Sequence, residues 1–171
     1  MKKEEEDIEP KYLHLEKDTL SNTHFRNVIA TFKGLQIVLM SINKNIPNEI
    51  HPNTDQFIRV EKGRMLVKIS SSSSNKKLEK GFIHINNGNT IDYYVNEGES
   101  FTVPRGTYHE IVNITPNNKP LKVYTIYSKQ MHKPHLIQEE GEKEDEEEEE
   151  LLYDAYDEEI EFKLSNDLFY S

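Results

Sequence analysis

From Phe25 to Ser128, apolar and polar positions alternate in short runs, the two-residue period of half-buried β-strands. Phe25–Thr31 and Leu35–Ile42 (L-Q-I-V-L-M-S-I) are the first two runs, and Lys33-Gly34 between them reads as a hairpin turn. Asn43–Asp55 is polar and reads as irregular. Phe57–Glu61 and Arg64–Ser70 predict strands around a turn at Lys62-Gly63. In the first of these, alternation turns Ile58 and Val60 inward and pairs Arg59 with Glu61 outside. Phe82–Ile85 and Thr90–Val95 predict strands joined through Asn86-Asn87-Gly88-Asn89. Phe101 and Val103 alternate with Ser100 and Thr102, a second short strand begins at His109, and Leu121–Ser128 is the last strand. The helix signal before Glu139 is a single turn over Thr19–His24, capped by Asp18 or Thr19. Many short strands with almost no helix predict an all-β antiparallel sandwich or barrel.

Charge changes the picture by dividing the chain. The net charge is −10, but Glu139–Ser171 holds sixteen acidic residues against Lys143 and Lys163. That stretch is net −14, which leaves the body at +4. The chain therefore reads as an N-terminal extension (1–24), a single domain (25–138) and an acidic C-terminal tail (139–171). A mildly basic body with a tail that repels phosphates predicts no nucleic-acid partner. Glu139–Glu150 is self-repelling and reads as solvated. Leu152, Tyr156, Ile160, Leu164 and Leu168 recur every four residues, although Ile160, Phe162 and Leu164 also fit a strand. The tail is expected either to dock on the basic body or to meet a basic partner. Five consecutive serines, Ser70 to Ser74, mark a flexible loop tip. The sequence has no cysteine, which excludes disulfides, thiolate zinc sites and a cysteine nucleophile. Met1–Pro10 lacks the apolar core of a secretory signal, and no apolar run nears the ~20 residues that span a bilayer. The expectation is a soluble, cytoplasmic protein without a membrane partner.

Two stretches carry the candidate chemistry. Gly98–Asn113 reads G-E-S-F-T-V-P-R-G-T-Y-H-E-I-V-N. Pro104 and Gly106 force a tight turn before His109, and Ile111 and Asn113 share the His109 face. The spacing resembles the second motif of the cupin family, G-x5-P-x-G-x2-H-x3-N, with Gly98, Pro104, Gly106, His109 and Asn113 at all five positions. Upstream, Ile50–Gly63 reads I-H-P-N-T-D-Q-F-I-R-V-E-K-G. The usual first cupin motif is G-x5-H-x-H-x3–4-E-x6-G. Aligned on Gly63, its two histidines fall on Glu49 and His51, its carboxylate on Gln56 and its first glycine on Asn43. The stretch is similar to an E-x-H-x4-Q-x6-G variant found among small cupins. Pro47, Glu49, His51, Pro52, Thr54, Asp55, Gln56, Phe57, Arg59, Glu61 and Gly63 match it.

The resemblance implies a small double-stranded β-helix, the cupin jelly roll, most similar to the mannose-6-phosphate-isomerase-like subgroup. It also implies a metal site. The familiar cupin ligand set is three imidazoles and one carboxylate. Here Glu49, His51, Gln56 and His109 would give two imidazoles, one carboxylate and one amide, with the same ligand charge of −1. Without Gln56 the set is two histidines and one carboxylate, which suits Fe, Mn, Ni or Zn. The alternative is a buried hydrogen-bonded cluster without metal. His14, His24 and His84 read as structural or exposed, and His132 and His135 as an exposed pair. Tyr93, Tyr94, Tyr108, Tyr124 and Tyr127 read as packing residues, with a proton donor among them as the alternative. The family implies a homodimer with a small-molecule ligand in the barrel. Cupins include oxygenases, sugar isomerases and plain binders, so two functions stay open. One is a metal-dependent enzyme of the oxygenase or isomerase type. The other is a non-catalytic binding module.

Overall fold

In a computed structural model of the chain, residues 6–70 and 90–142 are described. The expected strand Phe82–Ile85, most of the serine loop and the tail beyond residue 142 lie outside them. The described residues up to Glu140 belong to one compact unit. Among the described residues one α-helix, α1 (Leu15–Ser21), precedes ten strands: β1 (Arg26–Phe32), β2 (Leu35–Ile42), β3 (Asn45–Glu49), β4 (Gln56–Lys62), β5 (Arg64–Ser70), β6 (Thr90–Asn96), β7 (Ser100–Val103), β8 (His109–Asn113), β9 (Leu121–Tyr127) and β10 (Ile137–Gln138). They form two antiparallel sheets, β10-β1-β2-β9-β4-β7 and β3-β8-β5-β6. Val38, Met40, Ile42, Ile58, Val60, Leu121 and Val123 of one sheet join Met65, Val67, Val95 and Ile111 of the other in one apolar core. This is the antiparallel sandwich that the alternation predicts, in the jelly-roll form that the motif resemblance implies. Each aliphatic side chain so buried contributes roughly 1.5–3 kcal/mol.

The elements differ from expectation at three places. Asn45–Glu49 was expected to be irregular and is a strand. It lies at the end of its sheet, pairing only with β8 among the described residues, and there Pro47 interrupts no second ladder. Helix α1 begins at Leu15, not at Asp18 or Thr19. Thr19 is inside it and fully buried, and His14 at the start offers no side-chain cap. Ile137–Gln138 adds a short strand against β1. Phe32 pairs with Leu35 across Lys33-Gly34, the hairpin the sequence implies. Ile58 and Val60 are buried, and Arg59 Nε donates to Glu61 Oε1 at 2.9 Å on the outer face.

The start of the predicted tail is held. Glu139 bonds His24, and the Glu140 carboxylate accepts from the backbone N–H groups of Asn43 and Lys44 at 3.1 and 2.9 Å. Gly63 turns the chain from β4 into β5, that is, from one sheet to the other, at φ +97.

Candidate metal centre

The two sequence motifs are brought together by named bonds. Gly106 N–H donates to the His51 carbonyl at 2.8 Å. The Asp55 carboxylate accepts from the Arg105 backbone N–H at 2.9 Å and from its guanidinium at 3.0 Å. Asn113 does not face a ligand. Its amide nitrogen donates to the carbonyls of Ile42, Asn43 and Lys119, so it ties the β2–β3 turn to the β8–β9 connection. Asn113 and Gly63 are thus structural members of their motifs.

Register places the candidate ligands. Glu49, last in β3, lies directly across from His109, first in β8. His51 follows two residues later, on the turn toward β4. Glu49 Oε1 is 3.3 Å from His51 Nε2 and 3.4 Å from His109 Nε2. Glu49, His51 and His109 are the one group of three or more such side chains, among the described residues, whose ligand atoms converge, all within 4.8 Å. The set borders solvent on one side, because the Glu49 side chain is 30% exposed while that of His109 is fully buried.

The electrostatics favour a cation. Burial opposes ionisation of Glu49, but when the imidazoles of His109 and His51 are protonated their N–H groups and charge outweigh it and hold the carboxyl far below the usual carboxylate range. His109 Nδ1 lies 2.9 Å from the Thr107 carbonyl, which can only accept, so Nδ1 carries the proton. In the neutral ring, Nε2 then offers its lone pair toward Glu49. Neither the His51 nor the His109 Nε2 has a hydrogen-bond partner, although both are buried. The His109 lone pair, the unpartnered His51 Nε2 and the Glu49 oxygen together are donors of the types a divalent cation takes. Ligand atoms about 2.0–2.2 Å from a tetrahedral ion stand roughly 3.3–3.6 Å apart, and the two Glu49–imidazole spacings, 3.3 and 3.4 Å, fall in that range, with all three atoms within 4.8 Å of one another. The donor set fits a divalent metal.

Gln56 opens β4, almost fully buried, and is paired in register with Val103 and Tyr127. Its Nε2 donates to Thr125 Oγ1 at 2.9 Å and to Tyr127 OH at 3.3 Å, and its buried Oε1 has no donor. Tyr127, taken from sequence as one of five packing tyrosines, lies edge-on to His51 with ring centroids 5.5 Å apart. His132, expected to be exposed, is buried edge-on against Tyr127 at 5.6 Å. The cause is Gln36, whose amide accepts from the backbone N–H groups of Met131 and His132 and donates to the His132 carbonyl. That clamp pulls the segment after β9 onto the barrel. His135 is exposed, as expected, at a positive φ.

Residues 29–140 match the cupin family. The chain belongs to the cupin family. Among similar proteins, an uncharacterised Bacillus subtilis protein, YrkC, is 34% identical over 125 residues, which cover 72% of this cupin and 59% of YrkC. An uncharacterised protein of Acanthamoeba polyphaga mimivirus is 35% identical, covering 71% of this chain and 67% of the relative. The cupin thus spans about three fifths to two thirds of these relatives. The crystal structure of BH2720 from Bacillus halodurans is 34% identical with a TM-score of 0.63, covering 77% of this chain and 89% of that one. No helix among the described residues is long and apolar enough to cross a membrane.

Proposed function

We propose that this cupin holds a divalent metal through Glu49, His51, His109 and the Gln56 amide oxygen, and acts as a metal-dependent enzyme on a small polar metabolite at the barrel mouth. The observation that carries this reading is the convergence of Glu49 Oε1 with two buried, unpartnered imidazole nitrogens. When bound, the ion supplies Lewis acidity at its open positions, and a redox-active ion adds oxidation. The chain's own contribution is orientation and exclusion of water. Thr107 fixes the His109 tautomer. The Asp55–Arg105 and Gly106–His51 links hold the two motif turns at one end of the barrel. Tyr127 and His132 close the inner side with aromatic surface.

The test is elemental analysis of untagged protein purified without chelator, beside His51→Ala and His109→Ala. The expected result is about one metal ion per chain in the wild type and almost none in either variant. Iron would point to oxidation, and zinc to isomerisation. A wild type that neither carries metal nor takes up Fe, Mn, Ni or Zn would sink the enzyme reading and leave a metal-free binding module.

A further inference from the structure

The two ends of a glutamine amide have nearly the same shape and opposite chemistry. Which end faces a cation depends on whether the neighbours of the other end accept from its N–H2 or donate to its oxygen; a hydroxyl can do either, and here both hydroxyls accept. Gln56 has such neighbours on one side only. Thr125 and Tyr127 are inward-facing residues of β9, the strand beside β4, and both are almost fully buried. Their hydroxyl oxygens lie 2.9 and 3.3 Å from Gln56 Nε2. The N–H2 end is therefore occupied, while Oε1 stays buried without a donor. A buried acceptor without a partner is costly, and a cation removes that cost. An amide turned over would instead present N–H donors to the ion and repel it.

We infer that Thr125 and Tyr127 are positioning residues that lock the Gln56 amide with its oxygen toward the metal. This rests on the metal reading above. It assigns the fourth corner of the site as a neutral oxygen whose orientation is set by two hydroxyls about seventy residues away in sequence.

The test uses Mn(II) and Zn(II) titrations of the full chain against a chromophoric chelator. The proteins are wild type, Thr125→Val, Tyr127→Phe and the double variant, each with Gln56 and with Gln56→Glu. A carboxylate has two equivalent oxygens, so turning it over changes nothing. In the Gln56 background the double variant is expected to lose roughly 10- to 100-fold in metal affinity. With Gln56→Glu the same pair of changes is expected to cost only a few-fold. Melting of the metal-free proteins reports folding. If the double variant does not fold, Tyr127→Phe, which removes a single oxygen, carries the comparison alone. Undiminished affinity in the hydroxyl variants, or equal losses in both backgrounds, would overturn the lock and leave the metal reading standing. A wild type that binds neither ion would overturn both.

Discussion

The two ends of the barrel interior are built from the same strands and do opposite things. Along β2, inward positions run Gln36, Val38, Met40, Ile42; along β4, Gln56, Ile58, Val60; along β9, read backward, Tyr127, Thr125, Val123, Leu121. Register stacks them in rows: Gln36–Tyr127–Gln56, then Val38–Thr125–Ile58, then Met40–Val123–Val60, then Ile42–Leu121. On the other sheet, His109 gives way to Ile111. Each strand thus begins polar at one end and turns aliphatic within two or four residues. The aliphatic end releases free energy by burial. The polar end keeps buried atoms without partners, which costs free energy until a ligand supplies them. The location of a site is therefore written along the strands, in the gradient between rows, as well as across them in the alternation.

The sharpest way to break this contrast is to damage one end and read both. Leu121→Ala removes a fully buried side chain from the aliphatic end. We expect a loss of about 2–5 kcal/mol of unfolding free energy. Metal bound per folded molecule should be unchanged. Denaturant unfolding beside elemental analysis measures both. A large loss of metal from the folded fraction would mean that the two ends are not separable.

Turn glycines extend the comparison. Gly63 borders the aliphatic end at φ +97, and a Cβ there would stand 2.4 Å from Thr115 Oγ1. That oxygen accepts from the Arg64 N–H, so displacing it breaks a second contact. Gly106, beside His51, sits at φ +75 with open space around it. Alanine at either position meets the left-handed backbone cost of about 1–2 kcal/mol. Gly63→Ala should lose clearly more than Gly106→Ala in thermal melts. Equal losses would show that Thr115 yields freely.

Most of the fold was legible because alternation is local. The strands at Leu35–Ile42, Arg64–Ser70 and Leu121–Tyr127 follow from it, and so do the inward phase of Ile58 and the Arg59–Glu61 pair. Strand β3 was missed because Pro47 and three polar or charged residues, Asn45, Asn48 and Glu49, mask a strand that needs only one partner. The start of α1 was missed because Asp18 and Thr19 resemble a cap, while His14 carries none of the usual signals. The convergence of Glu49, His51 and His109 was implied by the resemblance to the two cupin motifs, not by local pattern alone. The partners of Gln56 and the burial of His132 were not, since they depend on register and on Gln36 contacts nearly a hundred residues apart.

The polar end should also show its cost in the metal-free protein. Gln56→Met is close in volume and removes the unpartnered Oε1. Without metal it should be neutral or stabilising by up to about 1 kcal/mol, while metal affinity falls. Melting with and without metal separates the effects. A clear destabilisation of the metal-free variant would mean that the bonds from Nε2 to Thr125 and Tyr127 outweigh the orphaned oxygen.

The smallest expected effect lies at the outer rim of the polar end. Asp55 and Arg105 are both more than half exposed, so their ion pair alone is worth little. What distinguishes Asp55 is that it also accepts the Arg105 backbone N–H and so fixes the turn that leads to His109. Arg105, through its guanidinium and its backbone, holds the Asp55 carboxyl below its usual range near 3.8. A lowered folded value means that the contribution is fully present above the unfolded value and fades as pH falls toward the folded one. The difference in melting temperature between wild type and Asp55→Asn should therefore be small but measurable at pH 7 and shrink below about pH 4. A difference that persists at low pH would assign the effect to the shape of the turn rather than to charge. The link between the two motif turns would then rest on Gly106 and the His51 carbonyl.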